Sequence, residues 1–137
     1  MKIQFFYDNA GFRFKRSSPI KEVIKKVIIG EGRTPGHLVF IFSNDNALLE
    51  INREFLNHDY YTDVIAFMWN DEILNGEIYI SVDSVRRNAS DYKVRFKQEL
   101  LRVVIHAVLH FCGYKDKTEE EKKIMRERED YWLNEAK

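Results

Sequence analysis

Apolar residues along this 137-residue chain either recur at a period near 3.6 or gather in short β-prone runs, and the switches between the two mark the elements. Residues 3–7, IQFFY, are β-prone and stop at Asp8-Asn9, which predicts a first strand. Ser18-Pro19 reads as a helix N-cap followed by Pro at the first helical position. Ile20, Val23, Ile24, Val27 and Ile28 then fall on one face of an amphipathic helix closed by Gly30 or Gly32. Residues 37–42, HLVFIF, follow Pro35-Gly36 and read as a central strand. Residues 43–46 offer caps for a second helix to about Phe55, with Leu48, Ile51 and Phe55 inward and Asn57-His58-Asp59 as its break. Val64–Trp69 and Ile78–Val82 read as two further strands. Asn70-Asp71 and Asn75-Gly76 suit turns, so these strands are expected to pair as a hairpin with a rather long connection. A helix over Val82–Tyr92 follows, and Thr118-x-x-Glu121 is a capping box opening a last helix to about Asn134. The sum is an α+β domain spanning residues 1–137, a small mixed sheet of about four strands packed with about five helices.

One stretch departs from amphipathic patterning. From Phe96 to Asp116, FKQELLRVVIHAVLHFCGYKD, apolar residues surround the helix on nearly all sides, the mark of a buried helix. Its polar residues Glu99, Arg102, His106 and His110 are spaced 3, 4 and 4 apart. At about 100° per residue they share one narrow stripe. Gly113 is a helix stop, and the chain turning there brings Asp116 back towards the two histidines. His106-x-x-x-His110-x-x-Gly113-x-x-Asp116 is thus the outline of a three-ligand, zincin-like metal site.

Composition bounds this reading without changing it. The chain is 45% hydrophobic with ten Phe, seven Tyr and two Trp, enough for a real core. Twenty-two basic residues balance 22 acidic ones, which argues mildly against a dedicated nucleic-acid-binding module. The charge is uneven: residues 1–40 carry eight Lys/Arg against three Asp/Glu, and residues 41–95 carry five against ten. The basic segment Arg13–Lys26 is either a solvated face or a phosphate-contacting patch. A single cysteine, Cys112, excludes an internal disulfide framework. With neither a signal-peptide pattern nor an apolar run near the ~20 residues that span a bilayer, a cytoplasmic protein without a membrane partner is expected.

Two imidazoles and one carboxylate leave a fourth tetrahedral position for water, the layout of a catalytic Zn²⁺, one per chain. The spacing is that of the long zinc-protease motif, but those enzymes carry a Glu after the first His as general base. Here that position is Ala107, so a zinc peptidase is the weakest reading. Cys112 lies roughly 200° around the helix from His110 and reads as a buried structural thiol rather than a ligand. His37 and His58 have no comparable spacing. Arg102 either contacts phosphate or pairs with Glu99 or another carboxylate.

HAVLHFCGYKD, with LLEINREFLNHDYYTDVIAF and NGEIYIS upstream, resembles the YbeY family of bacterial ribosomal RNA maturation factors. The family's signature, H-G-x-L-H-L-x-G-Y-D-H, is matched at His106, Leu109, His110, Gly113 and Tyr114. An upstream motif is matched at Asn52, Asp59, Thr62, Asp63, Val64 and Phe67. Met125 and Glu129 in the last helix also look like the family. The resemblance implies a metal-dependent, single-strand-specific endoribonuclease of ribosomal RNA maturation and ribosome quality control. Such an enzyme would be cytoplasmic, act with the small ribosomal subunit and have no DNA substrate.

The family's three metal-binding histidines map onto His106, His110 and Asp116, so carboxylate replaces the third imidazole. The family's upstream Arg falls on Leu56 and its Pro on Tyr61; Arg53, one turn earlier, is a candidate substitute. Arg102 and Arg53 are therefore the candidate RNA contacts, and Thr62 and Asp63 either line the cleft or order the strand start. No general base is assignable. A rival of another class is a non-catalytic ribosome-assembly factor with a structural metal site, favoured by zero net charge and by Leu56.

Overall fold

Alternation along the strands, rather than overall apolarity, determines how the sheet is laid down. In a computed structural model describing residues 2–70 and 72–136, β1 (Lys2–Tyr7), β2 (Thr34–Ser43), β3 (Val64–Asn70) and β4 (Ile73–Ser81) form one sheet in the order β1-β2-β4-β3. β1 and β2 run parallel, as do β2 and β4, while β3 pairs antiparallel with β4. The two central strands bury every second residue. Leu38, Phe40 and Phe42 on β2 are fully buried, as are Leu74, Ile78 and Ile80 on β4, with Phe40 opposite Ile78 and Phe42 opposite Ile80. The helices are α1 (Ser18–Gly30), α2 (Asp45–Phe55), α3 (Val82–Tyr92), α4 (Phe96–Phe111) and α5 (Glu119–Glu135). The mixed four-stranded sheet and five helices expected from the pattern are therefore present among the described residues.

α4 is the hub. It packs against α1, α3, α5 and strands β3 and β4, which explains why its sequence is apolar almost all round. Leu100, Val104, Ile105, Val108 and Leu109 are fully buried. α4 ends in a Schellman arrangement. The Gly113 N–H donates to the His110 carbonyl at 3.0 Å, the Tyr114 N–H donates to the Leu109 carbonyl at 3.1 Å, and Gly113 takes φ +111°. That turn folds residues 114–116 back beside the last turn of the helix.

Three expectations change. β4 begins at Ile73, five residues before the start implied by its apolar run, so Asn75-Gly76 lies inside the strand rather than in a turn. Gly76 is there because a Cβ would collide with the Phe67 carbonyl oxygen and the Phe111 ring. α2 buries Leu48, Leu49 and Asn52, whereas Phe55 is 66% exposed. The inward place goes to Asn52 because its side chain donates to the Tyr60 carbonyl, and its own carbonyl receives the Leu56 and His58 N–H groups, tying down the loop before β3. At α1 the cap position is Ser17 rather than Ser18, without a side-chain capping bond, and Gly32 at φ +77° makes the turn into β2. The capping box at Thr118 and Glu121 forms as expected.

Candidate metal centre

α4 carries His106 and His110 on consecutive turns, and the reversal after Gly113 delivers Asp116 to the same point. His106 Nε2 and His110 Nε2 are 3.1 Å apart. Asp116 Oδ2 lies 3.2 Å from the first and 3.4 Å from the second. The far side of each ring is fixed. His110 Nδ1 is 3.0 Å from the Tyr114 carbonyl oxygen, which can only accept, so Nδ1 carries the hydrogen and the neutral ring offers its Nε2 lone pair. His106 Nδ1 donates in the same way to Glu129 Oε2 at 2.6 Å.

Three lone-pair-bearing atoms thus crowd one point with no hydrogen between neutral rings. A proton can relieve one such pair; a metal ion relieves all three. Four ligands held at about 2.0–2.1 Å in a tetrahedron stand about 3.3–3.4 Å from one another, which the observed triangle fits. The donor set of two nitrogens and one carboxylate suits zinc. Burial opposes a charge on His106, but the Glu129 carboxylate, through its hydrogen bond and its charge, outweighs burial and holds the imidazole pKa above its ordinary 6.5.

Glu129 is itself buried, and its other oxygen accepts from Arg102 Nη1 at 3.0 Å. Arg102 also donates to Asp130 at 2.9 Å and approaches Glu99 at 3.9 Å. Of the two roles open to it, pairing with carboxylates is the one observed, although it still lines the cleft. Burial raises the pKa of Glu99, with Arg102 pulling the other way. Tyr114 is braced from below: its hydroxyl donates to Glu31 at 2.6 Å, and Glu31 also accepts from Arg128 and from Trp132 Nε1 at 2.8 Å. A chain of bonds therefore runs from α1 through Tyr114 to His110.

A cleft of about 330 Å³ opens on His106 and Asp116, lined by Asp63, Asn88, Tyr92 and Arg102 among others. Thr62 and Asp63 divide the two roles held open for them. Thr62 Oγ1 donates to the Val64 carbonyl at the strand start, and Asp63 lines the cleft. Arg53 lies outside this cleft lining, on the exposed face of α2, and pairs with Asp59. Leu56 caps α2. Cys112 is half-buried outside the triad, its thiol pushed up to about 11 chiefly by burial. His37 contacts Gln4, and His58 stacks on Tyr60.

Glu129 had a legible signal whose role spacing alone did not reveal: a Glu on the buried stripe Met125, Glu129, Trp132 of an otherwise charged helix. The Tyr114 carbonyl and Glu31 had none, because one is backbone and the other stands 83 residues from its hydroxyl partner.

A family model described as endoribonuclease YbeY matches residues 9–137. The chain belongs to the YbeY family. An endoribonuclease YbeY of Flavobacterium psychrophilum is 47% identical over 130 residues, covering 93% of this chain and 91% of that protein. The YbeY protein of Christiangramia forsetii is 44% identical, covering 94% and 90%. Among solved structures, the solution structure of a Thermotoga maritima protein is 29% identical with a TM-score of 0.68, covering 98% of this chain and 88% of that one. The YbeY match reaches across the metal-site helix and strands β2, β3 and β4 of the sheet beneath it. No helix among the described residues is long and apolar enough to cross a membrane.

Proposed function

We propose that this chain is a zinc-dependent, single-strand-specific endoribonuclease of small-subunit ribosomal RNA maturation and ribosome quality control. Residues 1–137 would form one cytoplasmic hydrolase domain holding one ion on His106, His110 and Asp116. The observation that carries the reading is the convergence of those three ligand atoms in a chain 47% identical to an endoribonuclease.

Charge supports it. The cleft lining holds four carboxylates, Asp63, Glu99, Asp116 and Glu129, against three cations, Arg102, Lys122 and Arg126. Without a divalent ion it repels phosphate; with one, the balance reverses. A bound divalent ion supplies Lewis acidity at a phosphoryl oxygen and acidifies a water molecule. The chain's own groups do the rest. Glu129 and the Tyr114 carbonyl hold the two imidazoles in the tautomer that presents Nε2. Lys122 and Arg126 draw the phosphodiester in.

Proton removal falls to Asp63. Glu99 is paired with Arg102, Glu129 with Arg102 and His106, and Asp116 with the histidines. Among the described residues, only the Asp63 carboxylate in this cleft lacks a hydrogen-bond or ion-pair partner of its own. Peptide hydrolysis is disfavoured because Ala107 is fully buried and carries no base.

The test is cleavage of single-stranded RNA by zinc-loaded protein. His106→Ala should abolish it, and Asp63→Asn should lower kcat about 10²–10⁴-fold, the usual worth of general-base catalysis. Intact RNA with fully loaded wild type, or equal cleavage by His106→Ala, overturns the reading. Those outcomes would favour a non-catalytic assembly factor. Leu56 in place of the family's Arg, together with the commitment of Arg102 to carboxylates, is the observation on that side.

A further inference from the structure

A second and larger concavity lies along the N-terminal half of α4. Its volume is about 860 Å³, and it lies between the segment preceding α1, α4 and the end of α5. Its apolar lining includes Phe14, Ile20, Leu101 and Leu133, all half-buried. Besides Arg102, the cations lining it are Arg13, Lys15, Arg16 and Lys97, all four exposed. One carboxylate, Asp130, also lines the groove, and it is already paired with Arg102. Among the described residues, none of the four cations has a carboxylate within ion-pair distance; Arg13 lies over the Tyr7 ring. Four such charges beside an apolar surface suit a polyanion with apolar parts, and a nucleic-acid strand has both.

The groove and the metal cleft share a wall. Arg102 lines both, held by Glu129 on the cleft side and Asp130 on the groove side. From His106 to Gln98, at the groove, α4 rises about 12 Å, the span of three to four stacked nucleotides at about 3.4 Å each.

We infer that this groove is the track for the single-stranded RNA flanking the phosphodiester in the metal cleft, with phosphates on Arg13, Lys15, Arg16 and Lys97 and bases against the apolar surface. The inference rests on the ribonuclease reading for the identity of the strand. It adds a binding site outside the cleft and explains how a chain with no net charge holds RNA. Three of the eight basic residues in the first 40 positions, Arg13, Lys15 and Arg16, line this one groove.

The experiment is fluorescence anisotropy of a labelled 12-nucleotide single-stranded RNA on metal-free full-length protein, where no cleavage intervenes. Lys15→Ala/Arg16→Ala/Lys97→Ala should weaken binding at least tenfold at 0.1 M salt. It should also lower the slope of log affinity against log salt by about two, since each lost phosphate contact removes about 0.7 for a single strand. A control that removes three charges elsewhere, Lys2→Ala/Lys26→Ala/Lys123→Ala, should stay within twofold of wild type. Equal losses in the two triple variants would reduce the groove to non-specific charge and overturn the inference. Tight binding of phosphatidylserine vesicles with no measurable RNA binding would overturn it in favour of a membrane surface.

Failure of the ribonuclease reading looks different. Zinc-loaded wild type would then leave RNA intact while the groove variant still lost affinity, and the groove would stand as an RNA site without a cleaving centre.

Discussion

Glu129 is the residue on which the candidate centre turns, because one buried carboxylate serves two donors. Oε2 accepts from His106 and Oε1 from Arg102, so removing its charge both loosens the imidazole and leaves a guanidinium short of a partner. Glu129→Gln should lower zinc affinity about 10–100-fold, the usual cost of losing a partner behind a ligating histidine. Competition against a chromogenic chelator measures it, and an affinity within twofold of wild type would remove Glu129 from the site. Glu31 makes a second prediction at this scale. Burial works against its charge, but hydrogen bonds from Tyr114, Arg128 and Trp132 win and hold its pKa below the ordinary 4.5. A carboxylate depressed in the folded state stabilises fully above the unfolded pKa, and that contribution disappears as pH falls through the folded value. In metal-free protein, Glu31→Gln should therefore lower Tm at pH 7, and the gap to wild type should narrow as pH falls below about 4.5. A gap of constant size from pH 7 to pH 3 would show that the charge contributes nothing.

At the scale of the element, β4 shows where the pattern could be read and where it could not. Gly76 packs so that the Phe67 carbonyl and the Phe111 ring occupy the space of a side chain, and the last turn of α4 comes down on the sheet there. Gly76→Ala should cost about 1–3 kcal/mol by overpacking. Thermal denaturation would read this as a Tm several degrees lower. No change in Tm would mean that Phe111 moves aside freely. The same glycine explains the misplaced strand start. Asn-Gly is a strong turn signal by local chemistry, and nothing in the local sequence reveals that a phenylalanine 35 residues later needs the room. On α2 the inward Leu48 was read correctly, whereas Asn52 was missed for a related reason, since it is buried by its bonds to the loop and not by apolarity. Where element and signal are both local, as at the Thr118 capping box, the Gly113 turn and the apolar run of β2, the sequence was legible.

At the scale of the whole molecule, the candidate ligands come from one short stretch while their supports come from everywhere. His106, His110 and Asp116 span 11 residues, so helical spacing and a glycine were enough to find them. Glu129 comes from α5, Asp63 from the start of β3 and Glu31 from the end of α1, placed by tertiary packing that spacing does not encode. An ion at the triad would therefore clip the loop after α4 to the helix, and through His106 and Glu129 would tie α4 to α5. Metal should then act as a stabilising ligand of the folded state alone. Zinc at 100 times its Kd adds about 2.7 kcal/mol, which for a domain of this size raises Tm by about 10 °C. Chelation should reverse the rise. Asp116→Ala should abolish most of it while leaving the metal-free Tm near that of wild type, because the Asp116 carboxylate is partly exposed and, among the described residues, its partners are the two histidines. Differential scanning calorimetry of both proteins, with and without zinc, separates the cases. A rise that survives Asp116→Ala would mean that the ion binds somewhere other than this triangle, whereas a fall in the metal-free Tm alone would mean that Asp116 braces the turn without holding an ion.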